Sequence, residues 1–430
     1  MICKRGRESL RDSPLGLAME NQERRVWRVV WSLALVQFIL LGPTYGTLGY
    51  FYSPWIREFG WNHARVALTT TAFLFAQAAV SPVVGWLLDR LPAQAVMTAA
   101  AAAVVVGYLW GSTLHSFAPM IAALAIIGGG VSASTYVPAM MVAANWATQR
   151  RGLALGIVLA GAAAGGTVLA PVFEVILVHF GWRTAMVCLT VPMWLIAIPV
   201  ILIMVRTRPS SGPEVSSVKE QAETLSGLEV GPALMSLPFW MVVATEFIYN
   251  VGYQGFVHHL MTYYIGAGFK AQNAALILGL LTLFTTVGAI ALGGFADKRG
   301  VRGVLIGSLV GLAAGIAIVL GATSRNFGTL YAAASMVAAG LCVGASATLL
   351  PAILAEALGL RRYGTLWGVV RLLGWIGGGL GPFLTGRIFD RAGTYAPAFE
   401  FCALCMLIGA GSAAMIRPAQ GIIPQPATAA

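Results

Sequence analysis

Two short stretches decide the fold: Gly85-Trp86-Leu87-Leu88-Asp89-Arg90 and Gly293-Gly294-Phe295-Ala296-Asp297-Lys298-Arg299-Gly300. Each is a Gly-x-x-x-Asp-basic run closing a long apolar segment, and they begin 208 residues apart. Working outward, other pairs recur at similar offsets. Arg150-Arg151-Gly152, Gly156 and Pro171 match Arg361-Arg362-Tyr363-Gly364, Gly368 and Pro382, with 20 residues from second Arg to Pro in both copies. Gly46-x-x-Gly49 matches Gly252-x-x-Gly255. The leading residues of these pairs are 206 to 211 positions apart. Self-similarity at a fixed offset means a duplicated unit, and duplicated helical halves are typical of proteins that rock one half against the other around a midplane site.

What surrounds these loops is apolar. The 430 residues are 58% hydrophobic and 10% charged, with 51 glycines, and the mean hydropathy is +0.79. Soluble domains carry about a quarter charged residues. A soluble core could not hide this much apolar surface with so little polar surface to cover it. Lipid removes the difficulty, and glycine is commoner in membrane helices than in soluble ones. The net charge of +11 is spread through short gaps between apolar runs, which argues against a nucleic-acid partner. The five cysteines, Cys3, Cys188, Cys342, Cys402 and Cys405, are scattered and read as packing.

About 20 apolar residues cross a bilayer as helix. Twelve such spans fit the chain, at roughly 28–52, 64–88, 93–113, 118–146, 152–178, 184–205, 237–265, 272–295, 302–322, 327–357, 364–388 and 395–416. The expected fold is an all-α integral membrane protein of two pseudo-symmetric six-helix bundles. The expected divisions are a tail at 1–22, an N-terminal bundle at 23–208, a linker at 209–235, a C-terminal bundle at 236–417 and a tail at 418–430. Pro209, Gly212, Pro213 and Lys219 mark the linker as solvated. Residues 1–22, where Met19 is a second candidate start, lack the apolar run of a signal peptide. With the N-terminus inside, 19 Lys and Arg fall on the inner side and 7 on the outer. The positive-inside rule then puts both termini in the cytoplasm of a cell membrane, the inner one if the source is bacterial.

The two loops resemble the G-x-x-x-D-R/K-x-G motif of the major facilitator superfamily, and the resemblance covers residues 24 to 417. Leu91-Pro92 stands where the motif usually has a residue followed by Gly. Gly161-Ala162-Ala163-Ala164-Gly165-Gly166 is similar to the fifth-helix glycine motif, with Ala162 where antiporters often carry Pro. Asn145-Trp146, the run Arg150 to Gly156, Phe180-Gly181-Trp182-Arg183 and Phe59-Gly60-Trp61 most resemble the monocarboxylate-porter-like and oxalate/formate branch. The eighth helix of that branch often carries a substrate-binding Arg; residues 272–295 carry none. The resemblance implies a transporter of a small organic anion that works by alternating access.

In that family the two loops form charge networks that hold the inner side closed. The resemblance therefore implies gating roles for Asp89, Arg90, Arg150, Arg151, Asp297, Lys298, Arg299, Arg361 and Arg362. An Asp near a helix N-terminus, paired with Arg150 or Arg361, would make a charge-assisted clamp. The simpler reading is a set of solvated charges that only fix topology. Gly128–Gly130, Gly161–Gly166 and Gly374–Gly381 form small faces that permit close helix approach.

Two charges are left deep. Glu246 is eight residues past Pro238 and Arg371 nine past Arg362, about 12–14 Å into a core of about 30 Å. Glu246 shares a helical face with Tyr249, Asn250 and Tyr253, and Arg371 shares one with Trp367 and Trp375. Intramembrane charges are costly and usually mark a pathway; a structural salt bridge is the competing reading. Arg371 is the expected anion anchor, with Glu246 the expected proton-coupling group. Gln37, Thr44, Tyr45, Gln77 and Tyr136 are a softer polar set that would complete a cavity, each equally suited to a helix–helix hydrogen bond. His258 and His259, toward the outer part of their helix, read as interfacial packing, with pH sensing as the alternative.

No P-loop, metal-ligand cluster or hydrolase triad is present, so no cofactor, no metal and no enzymatic activity are expected, and the energy must come from gradients. The expected function is secondary active transport of a monocarboxylate-like anion with a proton, by a monomer in the lipid bilayer. A drug-efflux antiporter is the rival within transport; a non-transporting membrane receptor is the rival outside it.

Overall fold

The computed structural model of the protein describes residues 14–61, 63–207, 227–321 and 328–417. The rest of the expected tails, and the part of the linker that holds Lys219, lie outside the described residues.

In the first half, α1 (Gln22–Phe59) contains a π turn at Gln37–Leu41 and a 3-10 turn at Leu48–Phe51. α2 (His63–Leu88) and α3 (Ala93–Thr113) follow. α4 (Phe117–Trp146) bends at Thr135. Helix then runs from Arg151 to Met204, but Gly181 interrupts it at φ 84°, a left-handed conformation open to a residue without Cβ. That break separates α5 (151–180) from α6 (182–204). The second half comprises α7 (Leu237–Gly266), α8 (Ala271–Arg299), α9 (Val301–Val319), α10 (Gly328–Leu358), α11 (Tyr363–Ala392) and α12 (Ala396–Met415). Among the described residues the only β pairing is an isolated bridge between Gly227 and Gly359.

Nine stretches among the described residues are long and apolar enough to cross a membrane, the α5–α6 run counting as one. α7 and α11 fall outside the nine although each has 30 residues. Polar residues dilute them: Glu246, Asn250 and Gln254 on α7, and Arg371, Arg387, Asp390 and Arg391 on α11. Large apolar side chains such as Phe75, Val178, Leu195 and Phe383 are exposed on the outer faces of the helices. In water that surface would aggregate; in lipid it is the contact with solvent.

Two segments read as tail and linker contain helix among the described residues. Helix covers the described residues from Pro14 on, inside the segment read as a tail. The far end of the linker is also structured. Leu228 N–H donates to the Leu358 carbonyl at 3.1 Å, and a short helix covers Val230–Leu234.

The halves meet where α2 crosses α11 and where α5 crosses α8. Glycine sets both distances. A Cβ on Gly85 would fall 2.1 Å from the Gly364 carbonyl oxygen, and one on Gly152 would fall 2.2 Å from that of Gly293. No side chain fits at either crossing. Asp89, Asp297, Arg150 and Arg361 sit within four residues of these glycines, so all four share one face of the molecule.

Candidate functional site

On that shared face the halves are latched twice, once in each direction. Asp89 ends α2 and is 2% exposed. Its carboxylate accepts hydrogen bonds from the N–H groups of Gly364 (3.1 Å) and Thr365 (2.9 Å) and from the Thr365 hydroxyl (2.5 Å). These N–H groups open α11, have no carbonyl partner within it, and point a positive dipole end at the acid. Burial pushes the Asp89 carboxyl above the ordinary carboxylate range, against the lowering effect of these bonds and of the Arg362 charge. Asp297, at the end of α8, does the same for α5: it accepts from Gly152 N–H at 2.7 Å and Leu153 N–H at 2.9 Å.

The expected clamp of Asp to Arg150 or Arg361 is therefore corrected. Arg150 lies 3.8 Å from Glu23. Arg361 and Arg362 reach Glu229 at 3.1 and 2.8 Å, and the Arg362 bond holds the Glu229 carboxyl below its usual range. Arg151 is half-buried and feels the charges of Glu356 and Asp297. Arg90 stacks on Trp86 at 4.0 Å, Arg299 lies over Phe295 at 5.8 Å, and Lys298 is exposed. The reason is steric and entropic. Backbone donors at a helix N-terminus are already fixed, whereas a guanidinium must be ordered, and the glycine crossings leave little room for one.

Beyond this seal a cavity of about 620 Å³ lies between the halves. Going up α11, Gly364 and Gly368 make the crossing, and Arg371 and Trp375 line the cavity. Arg371 is thus about 10 Å past the start of the seal. The other walls come from Tyr45 and Tyr50 of α1, Gln77 and Ser81 of α2, Tyr136 of α4, Thr167 of α5, Thr282 of α8, and Glu246, Tyr249, Asn250, Tyr253 and Gln254 of α7. The side chains on α7 recur one turn apart, which gives that helix a continuous polar face.

Arg371 is 7% exposed and Glu246 2%. Arg371 Nη1 donates to Glu246 Oε1. Asn250 Nδ2 also donates to Glu246 Oε1, at 3.1 Å, and to the Glu246 carbonyl at 2.8 Å. The guanidinium lies 4.3 Å from the Tyr136 ring centroid, 5.0 Å from Trp375 and 5.9 Å from Trp367. Ring faces favour a cation held away from water. A buried pair stabilises little beyond what apolar residues of the same volume would give, so its presence at the cavity wall asks for a use. Across the cavity, Tyr45 donates to the Gln77 side chain.

Two expected site residues do not reach the cavity. Thr44 is one residue from Tyr45, about 100° around the helix; its hydroxyl bonds the Leu40 carbonyl at 2.6 Å and faces Tyr108 of α3. Gln37 is fully buried in the π turn, nearer the sealed face than the first lining residue of α1, Leu41. His258 bonds its own helix, and His259 bridges the Pro382 carbonyl (3.0 Å) and the Tyr395 hydroxyl (3.3 Å); neither lines the cavity. Sequence reading missed Tyr50, Ser81, Thr167, Gln254 and Thr282 in the walls, and Thr365 and Glu229 at the seal. Of these, Gln254 was legible, since it stands one turn past Asn250. At the opposite end, Glu58 accepts from Trp182 Nε1 and Arg183 Nη1, both at 2.6 Å, and so joins the two Phe-Gly-Trp segments.

A profile of the Major Facilitator Superfamily matches residues 33–382. The chain is 25% identical over 386 residues to monocarboxylate transporter 13 of Rattus norvegicus, covering 90% of this chain and 87% of that protein. It is 27% identical over 391 residues to monocarboxylate transporter 11 of Mus musculus, covering 88% and 85%. In fold it is similar to the transporter FucP in its outward conformation, with TM-score 0.67, 15% identity, and 90% of this chain and 98% of that chain covered. The human organic anion transporter MFSD10 (TETRAN) has TM-score 0.67 at 17% identity, with 91% and 99% covered. Proteins of this kind are transporters, not enzymes. Because the profile runs through both duplicated halves and the seal between them, the chain belongs to the Major Facilitator Superfamily, as a multi-pass membrane transporter of a small molecule in its monocarboxylate-transporter-like branch.

Proposed function

We propose that this protein is a secondary active transporter of a small organic monoanion of the monocarboxylate kind, coupled to a proton, and that it works by alternating access. The observation that carries the reading is the Arg371–Glu246 pair buried at the wall of the central cavity. A guanidinium remains charged at such depth and offers a planar fork matched to a carboxylate. Of its five N–H donors, Glu246 accepts one. The others are available to an incoming anion.

The coupling follows from charge. When the substrate carboxylate takes over Arg371, Glu246 loses its counter-charge in a place of low dielectric. A carboxylate so stranded takes up a proton. Anion and proton together add no net charge to the cavity, which removes the main obstacle to rocking a loaded site through the membrane. Asn250 keeps hold of Glu246 during the exchange. The asymmetry of basic residues supports a cytoplasmic sealed face in a cell membrane, and on that reading this is an outward-facing conformation. One chain supplies both halves and the whole cavity, so a monomer suffices. The efflux reading called for an aromatic cavity without Arg371; Arg371 in the wall favours the anion reading.

The test is uptake of labelled monocarboxylates into proteoliposomes, with and without an inward proton gradient. Accumulation driven by the gradient, and lost in Arg371→Ala, is the expected result. Gradient-independent uptake of neutral amphiphiles, retained in Arg371→Ala, would overturn it.

A further inference from the structure

Resting on the monoanion reading above, we propose that the substrate carries an aromatic ring: the site takes an aryl-bearing monocarboxylate in preference to a two- or three-carbon acid. Six aromatic side chains line the cavity: Tyr45, Tyr50, Tyr136, Tyr249, Tyr253 and Trp375. They come from both halves, so a solute on Arg371 meets rings on both sides. Tyr249 and Tyr253, one turn apart on α7, lie parallel, with centroids 5.6 Å apart and planes 4° apart. The pair lines the cavity from the same helix as Glu246, so a solute beside that carboxylate meets aromatic surface. Flat rings pair best with other rings, face-offset or edge-on.

Size points the same way. At about 30 Å³ per water, a cavity of about 620 Å³ has room for about twenty waters. A three-carbon acid on Arg371 would displace a few of them and leave the rings wet. A phenyl or indolyl group attached by a short chain to the carboxylate would fill the space beside α7 and remove that apolar surface from water.

The charge count sets the valence. Among the described residues lining the cavity, Arg371 is the only base and Glu246 the only acid. One cation can anchor one carboxylate. A second carboxylate would face aromatic rings and Glu246 without a partner, at a cost no other group offsets. Dicarboxylates are therefore excluded.

The test uses purified wild-type protein in detergent and thermal stabilisation by propionate, 3-phenylpropionate, 3-cyclohexylpropionate, benzene-1,2-dicarboxylate and 3-phenylpropanamide, each titrated over a range of concentrations, since a ligand that binds only the folded state stabilises it with the logarithm of one plus its concentration over Kd. We expect 3-phenylpropionate to bind at least tenfold more tightly than propionate and several-fold more tightly than the cyclohexyl acid, with the dicarboxylate weaker than either aromatic or alicyclic monoacid. Equal binding of propionate and 3-phenylpropionate, or of the phenyl and cyclohexyl acids, would overturn the aromatic inference and leave the monoanion reading standing. Tighter binding of the dicarboxylate would overturn the valence argument. Binding of the neutral amide as tight as that of its acid would instead overturn the monoanion reading itself.

Discussion

Replacing Gly85 by Ala should open the sealed face. A Cβ at this position would lie 2.1 Å from the Gly364 carbonyl oxygen and 2.6 Å from its carbon. Ordinary contact begins near 3.4 Å, so α2 and α11 must part by about 1.3 Å at the crossing. Asp89 lies one turn further along the same face, with its two backbone bonds already at 3.1 and 2.9 Å. A displacement of that size carries both past useful hydrogen-bond length. Bonds to a charged group contribute about 1.5–3 kcal/mol each. The closed state thus loses about 3 kcal/mol or more against an open state in which Asp89 is hydrated, a shift in population of roughly 100-fold. Spin labels on the α2–α3 and α10–α11 loops, read by pulsed dipolar spectroscopy in nanodiscs, would report the change as growth of a longer distance. Gly49→Ala, where an added Cβ meets nothing within 4 Å, should keep the wild-type distribution. If Gly85→Ala also keeps it, the argument that glycine contact holds the latch is wrong.

Other perturbations probe the same machinery. Asp89→Asn or Asp297→Asn should slow transport more than it weakens substrate binding, because these residues bias the exchange between states and do not line the cavity; equal losses in both would indicate a damaged fold. The latch should also respond to pH. Burial raises the Asp89 carboxyl in the closed state, while in the open state it is hydrated and returns to the ordinary carboxylate range. The closed state then binds the proton more tightly, so its advantage is complete below the ordinary range and declines as pH rises through the raised value. Loop separation should grow over that interval in the wild type and lose its pH dependence in Asp89→Asn; a flat wild-type profile contradicts this. Glu229→Gln should free the Gly227–Glu229 segment from the α10–α11 loop, seen as faster amide exchange at Leu228, whose N–H is held by Leu358. Unchanged exchange would show that the Arg361 and Arg362 contacts do not hold the segment.

The duplication could be read from the sequence because it is written in the residues that the backbone itself requires. Gly85 and Gly293, Asp89 and Asp297 repeat since both crossings need a missing Cβ and an acid facing a helix N-terminus. The spans were legible by length and apolarity, even α7 and α11, whose polar residues hide them from a hydropathy threshold. Partner identity was not legible. That Asp89 bonds to Gly364 and Thr365 and not to a guanidinium depends on how closely two helices pass, and that distance is a tertiary property. Likewise Thr44 and Tyr45 are adjacent polar residues in sequence, yet they face opposite neighbours, and only packing decides which sees the cavity. Gln37 failed for another reason: depth along α1 could not be assigned until the floor of the cavity was known. Glu246 and Arg371 could be singled out from sequence because a charge in the middle of an apolar run is rare enough to stand out by itself.

The central claim is that one exchange of partners at Arg371 couples anion to proton. Proton uptake on substrate binding measures this directly, with purified protein in weakly buffered detergent solution and a pH indicator, titrated with a monocarboxylate. Wild type should take up close to one proton per anion bound, Glu246→Gln should bind the anion with no proton uptake, and Arg371→Ala should do neither. Anion binding by wild type without proton uptake, or uptake that persists in Glu246→Gln, would contradict the account.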